Sequence, residues 1–456
     1  MTMDSPLKQY TELYEANREA LERHSAAPLN ALRGEALERL TRDGARLPGL
    51  RDEGYEKTSL EKMFAPDFGL NINRVDIPVD VAESFRCAVP HMSTLLGVTV
   101  NDAFHPVGQL ETKLPEGVRF MSLKRAAEVC PDVLEKYYGR LAPKGETPVA
   151  LNTLLCQDGV LIHVGSGVRS DRTLQLVNIF SAPAPLMAAR RLLIVVEEGA
   201  SLQLLMCDHT QDGENAYLSD QVAEIYLGER ASLDLCDIEE SSARSSRLSQ
   251  TWVRQSAGSR LNHATVTLTC GTTRNDVTVA IDGEGCDTFL AGMAIGDAKM
   301  HVDNHTAVSH HARRSRSNQL FKYVLDDGAQ GAFEGSIVVS DGAGQTEAYQ
   351  SNRNILASSE ARMHTKPQLE IYEDDVKCSH GATTGQLDQE AIFYMQTRGI
   401  PLAEARTMLM QAFMSDVIDT VAIDGLRDRL RHLVDNRFSH SGDAACDDCR
   451  NTTCRK

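Results

Sequence analysis

The segment Glu198-Gly199-Ala200-Ser201-Leu202-Gln203-Leu204 returns 31 residues later as Glu229-Arg230-Ala231-Ser232-Leu233-Asp234-Leu235. Gly258-Ser259-Arg260-Leu261 echoes it about 30 residues further on. A unit this short cannot bury its apolar face alone and has to stack on near-copies of itself, so this period constrains the fold more than any other feature. The repeat lies in a stretch from Val149 to about Leu387, built of short alternating runs of Val, Ile, Leu and Thr. Turn-forming Gly, Asp, Asn and Ser interrupt these runs roughly every 8 to 12 residues, the texture of strands and turns. The pattern predicts a mainly β chain with a parallel β-helix core; a β-sandwich is the alternative that pattern alone leaves. The open ends of such a stack expose unpaired backbone groups, which flanking segments could cover.

Those flanks are helical in pattern. Residues 7–42 place Leu7, Tyr10, Leu13, Tyr14, Leu29, Leu32, Leu37 and Leu40 at helical spacing, with Pro28 as the expected break between two helices. Residues 44–146 are mixed, with an amphipathic helix expected at Ser122–Val129, and the linker Lys144-Gly145-Glu146-Thr147-Pro148 marks a boundary near 147. Beyond the β region, Asp388 reads as the N-cap of a helix to Arg398, Gly399 as its stop and Pro401 as the opening of a second helix to about Val421. A third helix is expected from about Asp424 to Asn436. The expected organisation is therefore an N-terminal, mainly helical domain (1–146), a β-helix core (147–387), a C-terminal helical domain (388–438) and a cysteine-containing tail (439–456).

Composition excludes several functions. Lysine and arginine number 47 against 64 aspartates and glutamates, a net charge of −17. Such a surface repels nucleic-acid backbones and anionic lipid, so neither nucleic acid nor membrane is an expected partner. The N-terminus carries no basic start followed by an apolar run, and nowhere do about 18 apolar residues follow one another, so a cytoplasmic protein is expected. In a reducing compartment the eleven cysteines do not form a disulfide framework. Cys156, Cys207, Cys236 and Cys270, inside apolar alternations, read as small core residues. Neither a P-loop nor a strand-linked dinucleotide-binding glycine motif occurs, so any nucleotide hydrolysis has to come from a partner.

Four places could carry chemistry or recognition. Cys378 and His380 are two apart, so on a strand both side chains point the same way and could meet one metal or one partner surface. The competing reading is a buried cysteine and a hydrogen-bonded histidine closing the last coil. His301, His305, His310 and His311 gather nearby in sequence, with His364 further on; a polar β surface explains them as well as a metal would, and none is assigned as a ligand. Cys446, Cys449 and Cys454 in the polar tail could hold a metal with a fourth ligand, or be flexible reduced thiols. The second C-terminal helix is apolar over more than half its circumference, which suits either a helix sandwiched in its own small domain or a partner groove lined by Met408, Met410 and Met414. Paired carboxylates for glycoside hydrolysis are not offered by Asp374 and Asp375, which as neighbours on a strand face opposite ways.

Lys366-Pro367-Gln368-Leu369-Glu370-Ile371-Tyr372, Asp375-Val376-Lys377-Cys378-Ser379-His380-Gly381-Ala382-Thr383-Thr384-Gly385 and Ile392-Phe393-Tyr394-Met395-Gln396-Thr397-Arg398-Gly399-Ile400 together resemble the SufD family of iron-sulfur cluster assembly proteins. The resemblance extends upstream through Ala332-Phe333-Glu334-Gly335 and Gln350-Ser351-Asn352-Arg353-Asn354-Ile355-Leu356, and covers roughly residues 147–425. Gly381, where the sister subunit SufB usually has Glu, points to SufD, as does the lack of SufB's additional cysteine motifs. Thr384, where the family more often has Val or Ile, is a mild departure and the triple-cysteine tail a larger one.

The resemblance implies a right-handed parallel β-helix that pairs with SufB, and C-terminal helices that bind the ATPase SufC through Phe393, Tyr394, Arg398, Leu402, Met408, Met410, Phe413 and Met414. It implies a non-enzymatic subunit with no tightly held cofactor of its own. Transient iron or a nascent iron-sulfur cluster would be shared with SufB at His380, with Cys378 carrying less support. ATP-driven dimerisation of SufC would move the helical domains and open that interface. The rival expectation is a purely structural adaptor that positions SufB and SufC; a homodimer of the chain on its own is left open.

Overall fold

The computed structural model describes residues 5–74, 94–108, 110–170, 172–211 and 213–439. Its strands form two sheets. One runs in the order β19 (Val376–Gly385), β17 (Thr346–Leu356), β15 (Arg316–Leu325), β13 (Asp287–Gly296), β11 (Arg260–Thr269), β9 (Ser232–Glu240), β7 (Ser201–Thr210), β5 (Leu174–Phe180), β1 (Leu95–Val100), β2 (Ala103–Pro106). The other runs β18 (Arg362–Ile371), β16 (Gln330–Val339), β14 (His301–His310), β12 (Thr272–Ile281), β10 (Ser245–Gln255), β8 (Tyr217–Leu227), β6 (Leu186–Val196), β4 (Gly159–Val164), β3 (Val118–Ser122). The chain alternates between the sheets and every pairing from β4 and β5 onward is parallel, which makes a β-solenoid of about eight turns.

The sequence period is the rung of this solenoid. Ser201, Leu202 and Leu204 lie directly against Ser232, Leu233 and Leu235, and Arg260 and Leu261 against Ser232 and Leu233. One of the two positions that differ between the first two copies, Gly199 against Arg230, occupies the same corner in each coil. Both are left-handed, with φ of 66° and 56°, and Gly258 follows at 67°. The Gly199 N–H donates to the Glu229 carbonyl and the Arg230 N–H to that of Ala257, so each corner is stitched to the next. Glycine meets this backbone demand without strain, and one arginine accepts it.

Alternation along each strand sorts side chains into lumen and outer face. Leu202, Leu204, Leu233, Ile194, Ile225, Val279, Phe321 and Phe333 fill the lumen. The outer face of the even-numbered sheet, including Met187, Leu193 and Leu218, packs on Leu29, Leu151 and Leu154 of the N-terminal helices. The outer face of the odd-numbered sheet, including Cys207, Cys236, Ala264 and Met293, packs on Met414, Val417, Leu430 and Val434 of the C-terminal helices. Cys156, Cys207, Cys236 and Cys270 are buried free thiols, as their apolar settings predict.

Three local expectations differ from the structure. Pro28 does not break a helix: it lies in the first turn of the helix Ala27–Thr41, where its missing N–H costs nothing, and the break from the preceding helix Pro6–Arg23 falls at residues 24–26. The stretch before residue 147 also contributes β1, β2 and β3, which extend both sheets at their first edge. Conversely, the β region is entered through a helix, Thr147–Leu155, whose Asn152 donates to the backbone carbonyl of Asp220 at 2.8 Å. The short helix Leu123–Val129 is as the pattern predicts, with the Ser122 hydroxyl accepting from the Arg125 N–H.

Candidate functional site at the uncovered end of the solenoid

β18 and β19 are the last strands of their sheets, so the last coil presents edges with no further rung among the described residues. The register opposes Ala348 to Cys378, Gln350 to His380, Asn352 to Ala382 and Asn354 to Thr384. Ala348, Gln350, Asn352 and Asn354 are all buried while Tyr349 and Arg353 are exposed, so Cys378 and His380 both belong to the lumen side. The spacing argument for the pair therefore holds. Cys378 packs with Ile337, Val339, Ala343 and Ala348, and burial raises its thiol pKa, with the Ala348 backbone pulling the other way. His380 is exposed, so it is not the hydrogen-bonded core histidine of the competing reading. Lys377 faces outward and pairs with Glu347 at 3.1 Å. Thr384 receives a hydrogen bond from Asn354 Nδ2 at 3.2 Å, which gives its hydroxyl a partner that Val or Ile would lack. Around this end Tyr349, Ile371 and Tyr372 stand exposed.

The C-terminal helices start at the foot of β19. Asp388 caps the helix Gln389–Thr397 by accepting from the N–H groups of Glu390 and Ala391, and Gly399 ends it at φ 86°. Phe393 and Tyr394 are 68% and 59% exposed, and Arg398 lies over the Tyr394 ring at 5.1 Å. On the next helix, Leu402–Ile418, Leu402 and Met408 are exposed as well. Met410 and Met414 are not available to a partner: both are buried in the core formed with the outer face of the odd-numbered sheet. Helical geometry explains the split, since Met410 and Met414 are four residues apart on one face while Met408 lies roughly 200° round from Met410. Phe413 is half-buried beneath the Lys322 ammonium at 4.4 Å and is likewise committed within the chain.

Of the other histidines singled out in the sequence, His301, His305, His310 and His311 have partners of their own. His301 and His305 share the outer face of β14 as alternation predicts; His305 Nε2 lies 2.9 Å from Asp303, and His301 Nε2 lies 2.8 Å from the Thr58 hydroxyl. His310 faces the lumen with Ser317 at 2.8 Å, and His311 meets Asp282. Among the described residues no three His, Cys, Asp or Glu side chains converge on a metal-sized site, so Cys378 and His380 supply at most two donors. Cys446, Cys449 and Cys454 lie outside the described residues. A groove of about 350 Å³ lined by Lys136, Tyr137, Arg140, Tyr226 and Arg254 shares no residue with the uncovered end. Among the described residues no helix is long and apolar enough to cross a membrane. Sequence reasoning missed Lys322, a lysine in an otherwise apolar strand end whose only signal was its placement opposite a helix no local pattern could locate.

The class this architecture defines is a helix-flanked parallel β-solenoid with one end of the stack uncovered among the described residues. Its family follows from comparison: residues 179–413 match the family described as SUF system FeS cluster assembly, SufBD core domain, and residues 4–176 match the SufBD protein N-terminal region. The chain belongs to the SufBD family of the SUF iron-sulfur cluster assembly system. A SufBD family iron-sulfur cluster assembly protein of Synechocystis is 31% identical over 402 residues, 86% of this chain and 88% of the relative. The iron-sulfur cluster assembly protein SufD of Bacillus subtilis is 24% identical over 71% of this chain and 74% of its own. SufD of Escherichia coli is 34% identical over a shorter span, 36% of this chain and 39% of its own.

Proposed function

We propose that this chain is a SufD-type subunit that pairs with SufB through the uncovered end of its solenoid, binds the ATPase SufC through its C-terminal helices, and contributes His380 to iron acquisition or nascent cluster assembly at the SufB interface. The observation that carries this reading is the placement of His380: lumen-side on the last strand, exposed, and beside strand edges that no other described strand pairs with. Edges of this kind are templates for strand addition from another chain, and exposed Tyr349, Ile371 and Tyr372 provide apolar area beside them. An imidazole nitrogen is a good donor to iron, the cargo, whereas a thiol raised by burial has to lose its proton before it can ligate. His380 is accordingly the principal donor of this chain and Cys378 a secondary one. A cluster held here needs further ligands, which SufB would supply. Gly381 also suits an interface, because a side chain there would meet nothing within 4 Å inside this chain.

For SufC the available surface is Phe393, Tyr394, Arg398, Leu402 and Met408, an exposed aromatic and aliphatic stripe of the kind that seats in a partner's groove. The test is co-expression with the cognate SufB and SufC, wild type against His380→Ala, scoring both co-purification and visible iron-sulfur absorbance. An intact complex that loses its absorbance supports the role of His380. An intact complex with unchanged absorbance reduces the chain to a structural adaptor, and failure of the wild type to co-purify overturns the partner assignment.

A further inference from the structure

Beneath His380 the lumen carries a column of side-chain amides. Gln319 on β15 is opposite Gln350 on β17, and Gln350 is opposite His380 on β19, each inward-facing and one rung apart. The Thr306 hydroxyl donates to Gln319 Oε1 at 2.6 Å, and Gln350 Nε2 donates to the same oxygen at 3.3 Å. That second bond sets the Gln350 amide with its nitrogen toward Gln319. Its oxygen is left over: Gln350 is 3% exposed, and Oε1 is buried without a hydrogen-bond partner among the described residues. A buried amide acceptor with no donor is rare and calls for a partner.

The amide occupies this place because Gly335 on β16 has no side chain. A Cβ there would lie 2.1 Å from Gln350 Nε2 and 2.7 Å from its Cδ, closer than any real contact. Gly335 and Gln350 thus form one unit from the consecutive strands β16 and β17, which belong to different sheets. The next residue in register on the open side is His380, whose imidazole makes no hydrogen bond to another described residue.

We propose that Gln350, seated on Gly335, is a positioning residue for His380: its side-chain carbonyl accepts the N–H of one imidazole nitrogen and leaves the other nitrogen facing the open end of the solenoid. Fixing the tautomer of a ligating histidine through the nitrogen that does not ligate is a general way of aiming the lone pair. This deepens the reading of His380 given above and rests on it for its purpose, although the contact itself is a property of this chain alone.

The experiment is nitrogen-15 NMR of the full-length chain, metal-free and without partners, with labelled histidine and the His380 signals assigned by their loss in His380→Ala. The tautomer ratio is read from the Nδ1 and Nε2 shifts at a pH where the ring is neutral. Replacing the acceptor with a side chain of similar length, Gln350→Met, is expected to change that ratio by about fivefold, the worth of one ordinary hydrogen bond. Gly335→Ala, which displaces the amide by steric contact while leaving it in the chain, is expected to shift the ratio in the same direction and decides the matter should Gln350→Met not fold. An unchanged ratio in the folded variant overturns the proposal. Because no iron is present, this outcome is independent of the cluster absorbance that tests the function of His380.

Discussion

Lys322, buried on the outer face of β15, donates its ammonium to the Phe413 carbonyl oxygen at 2.8 Å and to the carboxylate of Asp416 on the helix Leu402–Ile418. The lysine is 3% exposed and the aspartate 58%, so the bond joins the solenoid to the solvent side of the helix that carries Leu402 and Met408. Removing the carboxylate leaves a buried ammonium short of its countercharge. Asp416→Ala should weaken docking of this helix by about 1–3 kcal/mol, whereas Lys322→Met, which fills the same space without a charge, should cost less. Hydrogen exchange across residues 402–418 reads this directly; equal protection in Asp416→Ala and wild type would count against the latch.

The two faces of that helix separate stability from recognition. Met414 is fully buried, so Met414→Ala should cost about 2–5 kcal/mol in thermal or denaturant unfolding. Met408 is 43% exposed, and Met408→Ala should stay within about 0.5 kcal/mol of wild type while weakening capture of SufC. The reverse pattern would mean that the helix docks on the solenoid by its other face.

Asp220, buried on β8 against the helix Thr147–Leu155, has its carboxyl pKa pushed up to about 7 by burial, with Asn152 and Arg191 pulling it down by less. The unfolded value is near 3.9, so the folded chain holds this proton more tightly. Stability from this group is complete below about pH 4 and is lost as the pH rises through 7. Asp220→Asn, which keeps the shape and removes the ionisation, should raise stability at pH 8 by on the order of 2–4 kcal/mol and flatten its decline between pH 4 and 8. Denaturant unfolding at several pH values checks this, and parallel curves for the two proteins would refute it.

At the uncovered end, Ile371 and Tyr372 are 44% and 63% exposed. Ile371→Lys places a desolvation cost at the expected SufB contact. The isolated variant should unfold within about 0.5 kcal/mol of wild type, and its co-purification with SufB should fall sharply. Undiminished pairing would move the interface elsewhere.

The fold was legible in the sequence to an unusual depth because a stacked coil repeats its instructions. The offset between Ser201-Leu202 and Ser232-Leu233 is the register of adjacent rungs, and the parity of Cys378 and His380 is a strand property that no tertiary contact alters. The helix cap at Asp388 was legible for the same reason, being hydrogen bonds to N–H groups two and three residues on. Pro28 was misread because the same residue breaks a helix from inside and begins one from its first turn. Met410 and Met414 were misread because an all-round apolar helix does not say which neighbour covers which side.

By itself the sequence determined the period, the alternation, the caps and the motif around His380, since each depends on residues near one another along the chain or one rung apart. Only the tertiary structure decided that the C-terminal helices fold back on the odd-numbered sheet, that Lys322 meets Asp416 across 94 residues, and that the Gln350 amide rests on Gly335. Those outcomes depend on which side chains are brought together when the coils close, and the hydrophobic and hydrogen-bonding preferences of a residue do not specify its distant partner.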